Sequence, residues 1–293
     1  MKVLLVGNPA AGGSEKQDRG EIVDALASLG TVAVVEPSSA ERFGEEVAAA
    51  AVDAELVVAA GGDGTFNCTI NALQRRLSEL VFALLPMGTG NDLARTIGLG
   101  DDPVAVARGL VDGTERGLDV GHASGSGAER LFVNACMGGF PVQVNEALDD
   151  DEKERLGAAA FIWGGAKALN DLERTTVSLD DRRVPDCVAV GVGNGKTCGG
   201  GIAVWPDADP GDGRLEGCAL PAGGPGALVK LAAKLKLGDH RTIDGVTVSS
   251  GPSISIDSDP PIELNVDGEL IGLKTPARFE VVNRTRLLVP NRA

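Results

Sequence analysis

Asp63 is an acid set among glycines, in the run Ala60-Gly61-Gly62-Asp63-Gly64-Thr65-Phe66-Asn67. An apolar stretch ending at Ala59 precedes it and reads as a buried parallel strand, and a helical pattern begins near Cys68. A glycine-rich turn between strand and helix lets backbone N–H groups approach an anion closely, and the helix N-terminus adds positive partial charge. A carboxylate beside bare phosphates is repelled unless a divalent cation lies between them. The stretch therefore predicts a site for a nucleoside triphosphate with magnesium.

The run Gly61 to Thr65, followed by Asn67, resembles the phosphate loop of the diacylglycerol kinase catalytic-domain superfamily. That group includes bacterial and eukaryotic diacylglycerol kinases, sphingosine and ceramide kinases and, more distantly, NAD kinases. A second block, Pro86-Met87-Gly88-Thr89-Gly90-Asn91-Asp92, stands at the spacing of the lipid-kinase branch. The resemblance runs over nearly the whole chain. It implies an ATP-dependent lipid kinase that transfers the γ-phosphoryl group to a hydroxyl of diacylglycerol or a similar lipid alcohol, with ATP and Mg2+ as donor and cofactor. The alternative is an NAD kinase-like enzyme acting on a small soluble metabolite, which would share the first block but not the second.

Residue by residue, the resemblance implies that Gly61, Gly62, Gly64 and Gly88 cradle the phosphates, with Thr65, Asn67 and Thr89 supplying hydroxyl or amide groups. Asn8, in Asn8-Pro9-Ala10-Ala11-Gly12, is similar to a first block that walls the nucleotide. Asp63, Asp92 and Asp119 are the implied magnesium acids, and a parallel sheet would bring all three to one edge. The family commonly has Glu where Cys68 stands; if that Glu helps order the loop, this chain orders it in another way. The acceptor half is carried by Asn265-Val266-Asp267-Gly268-Glu269, similar to the family's Asp-Gly-Glu signature. Transfer to an alcohol needs an acceptor for the hydroxyl proton in line with the γ-phosphate. Asp267 is predicted in that role, and Glu269, on the same side of an extended segment, could share or take it. The competing use of Asp-Gly is a β-turn.

Two other runs invite chemistry. Asn194-Gly195-Lys196-Thr197 is not a P-loop, because Val190 stands where a glycine is required. It instead resembles the family's second-domain glycine segment, with Thr197 and Cys198 where aromatics are usual. The acidic run Pro206 to Leu215 has the wrong spacing for an EF-hand. It resembles a family loop that holds a structural magnesium, which would make Asp212 the side-chain ligand and Asp209 and Arg214 carbonyl donors. An acidic surface loop is the other reading.

These groups need a scaffold. Residues 1–120 alternate strand and helix patterns, which predicts an α/β nucleotide-binding domain with a parallel sheet. Ligands in such folds sit at the carboxyl ends of the strands, where both glycine-rich blocks lie. From 121 to 283 the strand-like runs are short, β-branched and punctuated by Gly, Pro and Asp, which predicts an all-β-rich sandwich for the lipid acceptor. The resemblance implies that 284–293 return to the first domain. One strand is expected at Leu131 to Cys136, and helical inserts at Glu152 to Leu172 and Pro225 to Leu237. Ser38 or Ser39 could cap the helix near Glu41 to Val52 or touch the adenosine.

Composition bounds the partners. With 43% hydrophobic residues the 293-residue chain can build a sizeable core. A net charge of −15 and a pI of about 4.6 exclude nucleic acid as a ligand. Only nine of the 27 basic residues are lysine. An acidic, lysine-poor surface fits a halophilic, high-salt cytoplasm in which self-repulsion is screened; an unfolding midpoint that rises with molar KCl is the expected signature, and indifference to KCl removes the idea. The five cysteines form no CxxC pair, as expected of reduced thiols in a cytoplasmic protein. No apolar span approaches the ~20 residues needed to cross a bilayer, so lipid contact is expected to be peripheral. Leu228 to Lys236 is a basic amphipathic stretch suited to anionic lipid, and an ordinary packed surface helix is its other reading. Phe161-Ile162-Trp163 could wall an acyl cavity. A homodimer is compatible with the sequence.

Overall fold

The computed structural model describes residues 1–7, 15–139, 175–222 and 227–291. Asn8 and Phe161 to Trp163 lie outside them, as does the expected helix of 152–172. The chain divides into two compact units: Met1–Val120 with Asn283–Ala293, and Gly121–Val282.

In unit 1 the order is β1 (Lys2–Val6), α1 (Glu15–Ala27), β2 (Thr31–Val35), α2 (Phe43–Ala50), β3 (Leu56–Gly61), α3 (Asp63–Ala72), β4 (Val81–Pro86), α4 (Asp92–Ile97) and α5 (Pro103–Gly109). The last part of β14 (Glu269–Val289) adds to it, with Arg286 opposite Val81. These strands lie in the order β14, β4, β3, β1, β2, and every pair is parallel. β3 and β4 are buried along their whole length, the state that turns central parallel strands into unbroken apolar runs. Ser38 donates through its N–H and its hydroxyl to Glu46 of α2, each at 2.7 Å. Its side chain thus fastens the entry to that helix.

Unit 2 is built of antiparallel pairs. β5 (Thr114–Ser126) enters it and pairs with β6 (Glu129–Phe132); then come β7 (Ala135–Gly139), β8 (Thr175–Leu179), β9 (Arg182–Gly193) and β10 (Leu215–Pro221). Helix α6 (Ala227–Leu237), β11 (Thr247–Gly251), β12 (Ser253–Asp259), β13 (Glu263–Val266) and β14 follow. The path β11, β10, β9, β7, β13, β14 forms one run of neighbours. Along β14, Leu273, Thr275, Ala277 and Phe279 are buried and alternate with exposed Lys274, Pro276 and Arg278, the two-residue period of a half-buried strand. Phe279 meets Phe132 edge to face, ring centroids 6.2 Å apart, inside the apolar cluster. A second cluster gathers around Trp205, with Met137, Leu220 and Leu231.

The structure differs from the sequence pattern at the expected strand Leu131 to Cys136, which is two strands, broken at Val133 and Asn134. The residues from 284 on, expected to return to the first domain, do so as the end of one long strand, β14.

None of the five cysteines, all among the described residues, is in a disulfide. Burial pushes Cys187 up to about 11 and Cys218 up to about 12, and Cys136 well above the usual thiol range, so these three are unreactive packing groups. His240, in a 3-10 turn after α6, is wholly buried. Burial first, and the Arg241 charge second, push its pKa below the ordinary 6.5. The unfolded chain therefore binds the proton first. Stability from this group is complete above the unfolded pKa and is lost as pH falls below it. Urea unfolding between about pH 7.5 and 5.5 is expected to show this slope in the native chain and a flatter one in His240→Phe. Equal slopes would remove the assignment.

Candidate functional site

β3 delivers Gly61 and Gly62 to the N-terminus of α3, and β4 delivers Met87 and Gly88 beside them. Met87 N–H donates to Gly61 O at 3.0 Å. The two loops then cross glycine on glycine: a Cβ on Gly88 would lie 2.5 Å from Gly62 Cα. Any side chain there would force the loops apart. A Cβ on Gly61 would meet Thr65 Oγ1 at 2.3 Å, so the strand end stays bare to let Thr65 fold over it. Asn91 has a left-handed φ of 48° and clasps its own loop. Its Oδ1 accepts from Gly88 N–H at 3.0 Å and its Nδ2 donates to Gly88 O at 2.6 Å.

Asp63 ties the two loops together. Its Oδ2 accepts from Asp92 N–H at 2.8 Å and its Oδ1 from Leu93 N–H at 2.9 Å. These are first-turn donors of α4, whose own preceding residue Asn91 makes no side-chain cap. An acid from one glycine loop thus caps the helix that follows the other.

Asp92 is 4% exposed and pairs with Arg95 at 3.0 Å. A Cβ on Gly90 would lie 3.6 Å from Asp63 Oδ2 and 3.7 Å from Asp92 Oδ2, so the two carboxylates converge on a residue with no side chain. Desolvation raises the Asp63 pKa above the usual aspartate value. The N–H groups of Leu93 and Asp92 oppose that rise, and the Asp92 charge adds to it. Two converging, partly desolvated carboxylates suit a cation that takes few protein ligands and keeps its waters. The residues present therefore fit Mg2+, with Asp63 and Asp92 as the pair that would hold it.

The third expected acid, Asp119, is buried, and its Oδ1 lies 3.7 Å from Arg284 Nε of β14. Among the described residues no group of three or more acidic, His or Cys side chains is placed to hold a metal. Asp119 thus has a guanidinium partner from the returning strand. Asp212 is exposed; its Oδ1 accepts from Arg214 N–H at 2.9 Å, and Asp209 Oδ1 accepts from Gly211 N–H at 3.1 Å. That loop is a self-bonded turn. Asn67 is wholly buried, and its carbonyl and Oδ1 accept from Asn71 Nδ2 at 2.9 and 3.1 Å. It braces α3 from within. Gly64 and Thr65 are half-buried at the start of α3, and Thr89 is exposed at the crest of the second loop.

Asp267 is the centre of a second construction, within unit 2. Asp267 and Gly268 both have positive φ, 47° and 89°, the geometry of a two-residue hairpin between β13 and β14. The turn reading and a chemical role therefore coexist at this residue. Its carboxylate is 9% exposed by residue and accepts from three consecutive backbone donors: Val133 N–H at 2.8 Å, Asn134 N–H at 3.0 Å and Ala135 N–H at 2.7 Å. Asp267 N–H donates in return to Ala135 O at 2.8 Å.

The other side of the same link is held from β9. Asn194 Nδ2 donates to Val133 O at 2.7 Å, and Asn194 N–H and Gly195 N–H both donate to Asn134 O at 2.8 Å. Every N–H and C=O from Val133 to Ala135 is thus bonded, which is why the expected strand breaks here. Sequence reasoning missed this clasp, since its partners are 61 and 134 residues away. Glu269, at the start of β14, is exposed.

Residues 2–123 match the diacylglycerol kinase catalytic domain, and residues 134–289 match the YegS C-terminal NAD kinase beta sandwich-like domain. A probable lipid kinase, YegS-like, of Pseudomonas putida is 32% identical over 271 residues, covering 91% of this chain and 87% of that protein. A relative with the same description from Stenotrophomonas maltophilia is 31% identical over 301 residues, covering 98% and 95%. A crystal structure of a diacylglycerol kinase from Bacillus anthracis str. Sterne superposes with a TM-score of 0.78 at 26% identity, covering 99% of this chain and 97% of that one. Among the described residues no helix is long and apolar enough to cross a membrane. Joined glycine loops in one unit, a β-rich second unit and relatives along the whole length lead to one assignment: the chain belongs to the YegS-like lipid kinase family with a diacylglycerol kinase catalytic domain, and it is a phosphotransferase with an alcohol acceptor.

Proposed function

We propose that the chain transfers the γ-phosphoryl group of ATP to a hydroxyl of diacylglycerol or a closely similar lipid alcohol, and that Mg2+ assists. The observation that carries this reading is the Asp63 bridge, which locks two glycine-rich loops together beside a second carboxylate. Backbone N–H groups at the start of α3, with Gly88 and Thr89, form the cradle for the phosphate tail. Mg2+, held by Asp63 and Asp92, would neutralise charge on the donor phosphates. The transition state of phosphoryl transfer is loose, so orienting the hydroxyl matters more than a strong base. Asp267, whose carboxylate is fixed by three backbone donors, is assigned to orient the hydroxyl and receive its proton, and Glu269 is assigned to share that work. Peripheral contact with a membrane follows from a lipid acceptor.

The test is transfer from γ-labelled ATP into a panel of lipid alcohols with Mg2+, read by thin-layer chromatography, with NAD as a parallel acceptor. Label is expected in a diradylglycerol. Label in NAD and in no lipid overturns the reading.

A further inference from the structure

Helix α6 packs on unit 2 by one face. Leu231 is 6% exposed, and Leu235 packs against the cluster around Trp205. With 3.6 residues per turn, Lys230, Ala233 and Leu237 fall on the opposite side, while Lys234 lies on the flank and is half-buried. Lys230 and Ala233 are exposed, and Leu237, at 74%, is the most exposed large apolar side chain among the described residues. The sequence left open whether this helix packs or docks. The structure shows that the packing is done by a face that leaves Lys230, Ala233 and Leu237 outside.

The charge around this face departs from the rest of the chain. The net charge is −15, yet no acid occurs between Glu216 and Asp239, and three of the nine lysines lie there, at 230, 234 and 236. Glu216 and Asp207 are both paired with Arg241, and the exposed acids Asp239 and Asp244 come only after the helix has ended. A helix macrodipole favours lysine in the last turn, which accounts for Lys234 and Lys236. It disfavours Lys230 in the first turn, and it gives no reason to leave a leucine in water.

We propose that the Lys230–Leu237 face of α6 docks on an anionic bilayer surface, with Lys230 against lipid phosphates and Leu237 at the acyl boundary. The inference rests on the lipid-kinase reading, since a substrate that lives in a bilayer must be met at the interface. Opposite charge supplies the attraction, and the acid-free segment removes the repulsion that the rest of this surface would exert on anionic lipid.

The test is co-sedimentation of the whole chain with phosphatidylcholine vesicles carrying about 30 mol% phosphatidylglycerol, against phosphatidylcholine alone. Binding to the anionic vesicles is expected, weakening as salt is raised. Lys234 donates to Thr242 Oγ1 at 2.5 Å, so the clean charge variant is Lys230→Glu. It is expected to weaken vesicle binding about tenfold or more, and Leu237→Ser by about fivefold. Neither is expected to move the melting temperature or the turnover of a short-chain lipid alcohol dispersed as monomers. Native protein that stays in the supernatant, equal binding to neutral vesicles, or variants that sediment like the native chain each overturn the docking face. Vesicle binding without phosphorylation of any lipid alcohol overturns the kinase reading and leaves the docking face standing.

Discussion

Asp267→Ala is expected to unfold unit 2 at temperatures where the native chain is stable. It strands three consecutive buried N–H donors, those of Val133, Asn134 and Ala135. An unpaired buried donor costs about 1–3 kcal/mol. Three of them approach the ~5–15 kcal/mol that holds an ordinary domain together. Asp267→Asn keeps one acceptor oxygen but turns an amide against N–H groups. A loss of about 2 kcal/mol is expected, with a folded product. That folded variant separates the two roles of the residue: it should bind nucleotide nearly as the native chain does and lose about 100-fold or more in phosphoryl transfer. Urea unfolding of the alanine variant, with calorimetric ATP binding and label transfer for the asparagine variant, checks both. An alanine variant within about 1 kcal/mol of native stability shows that the clasp holds little. Full turnover in Asp267→Asn clears the residue of any part in transfer.

Asp63→Asn should show the opposite balance, with a small effect on folding and a large one on rate. One amide oxygen replaces two carboxylate oxygens, so either Asp92 N–H or Leu93 N–H loses its acceptor. About 1–2 kcal/mol of stability is expected to go. The converging pair at Gly90 becomes a single carboxylate, and that one already faces Arg95 at 3.0 Å. Loss of preorganised charge stabilisation at a reacting centre typically costs 10²–10³-fold in rate. A fall in kcat of about 10³-fold is expected, together with a shift of the magnesium dependence to higher concentration. Unchanged magnesium dependence would place the cation elsewhere.

Much of the first unit was legible because its signals are local. A buried strand, a glycine turn and a helix start fall within about a dozen residues, and the periodicity switches where the motif sits. The partners of each acid were not legible. The surroundings of Asp119 in the sequence do not show Arg284, 165 positions on, folded against it. Those of Asn67 do not show that its carbonyl and Oδ1 accept from Asn71 in a buried helix. In the second unit the apolar alternation located most strands. It ran through Val133 and Asn134 because side-chain pattern carries no record of where a distant carboxylate will take the backbone N–H groups. The length of β14 was obscured in the same way: Asn283, Arg284 and Arg286 are polar, yet they lie in one continuous strand.

The bonded link at Val133 to Ala135 also sets an order of events during synthesis. Its amides emerge early, while Asn194 emerges about sixty residues later and Asp267 only in the final tenth of the chain. Until Asp267 emerges, the three N–H groups of the link have only water to bond. Nascent unit 2 therefore has no route to its native hydrogen-bond pattern before the ribosome has nearly finished, and long-range closures of this kind are slow to form. Unit 1 waits on the same last strand, which pairs with β4 through Arg286 and Leu287. A ribosome stalled, or a chain clipped, shortly before Asp267 would leave both halves incomplete and expose them to aggregation together.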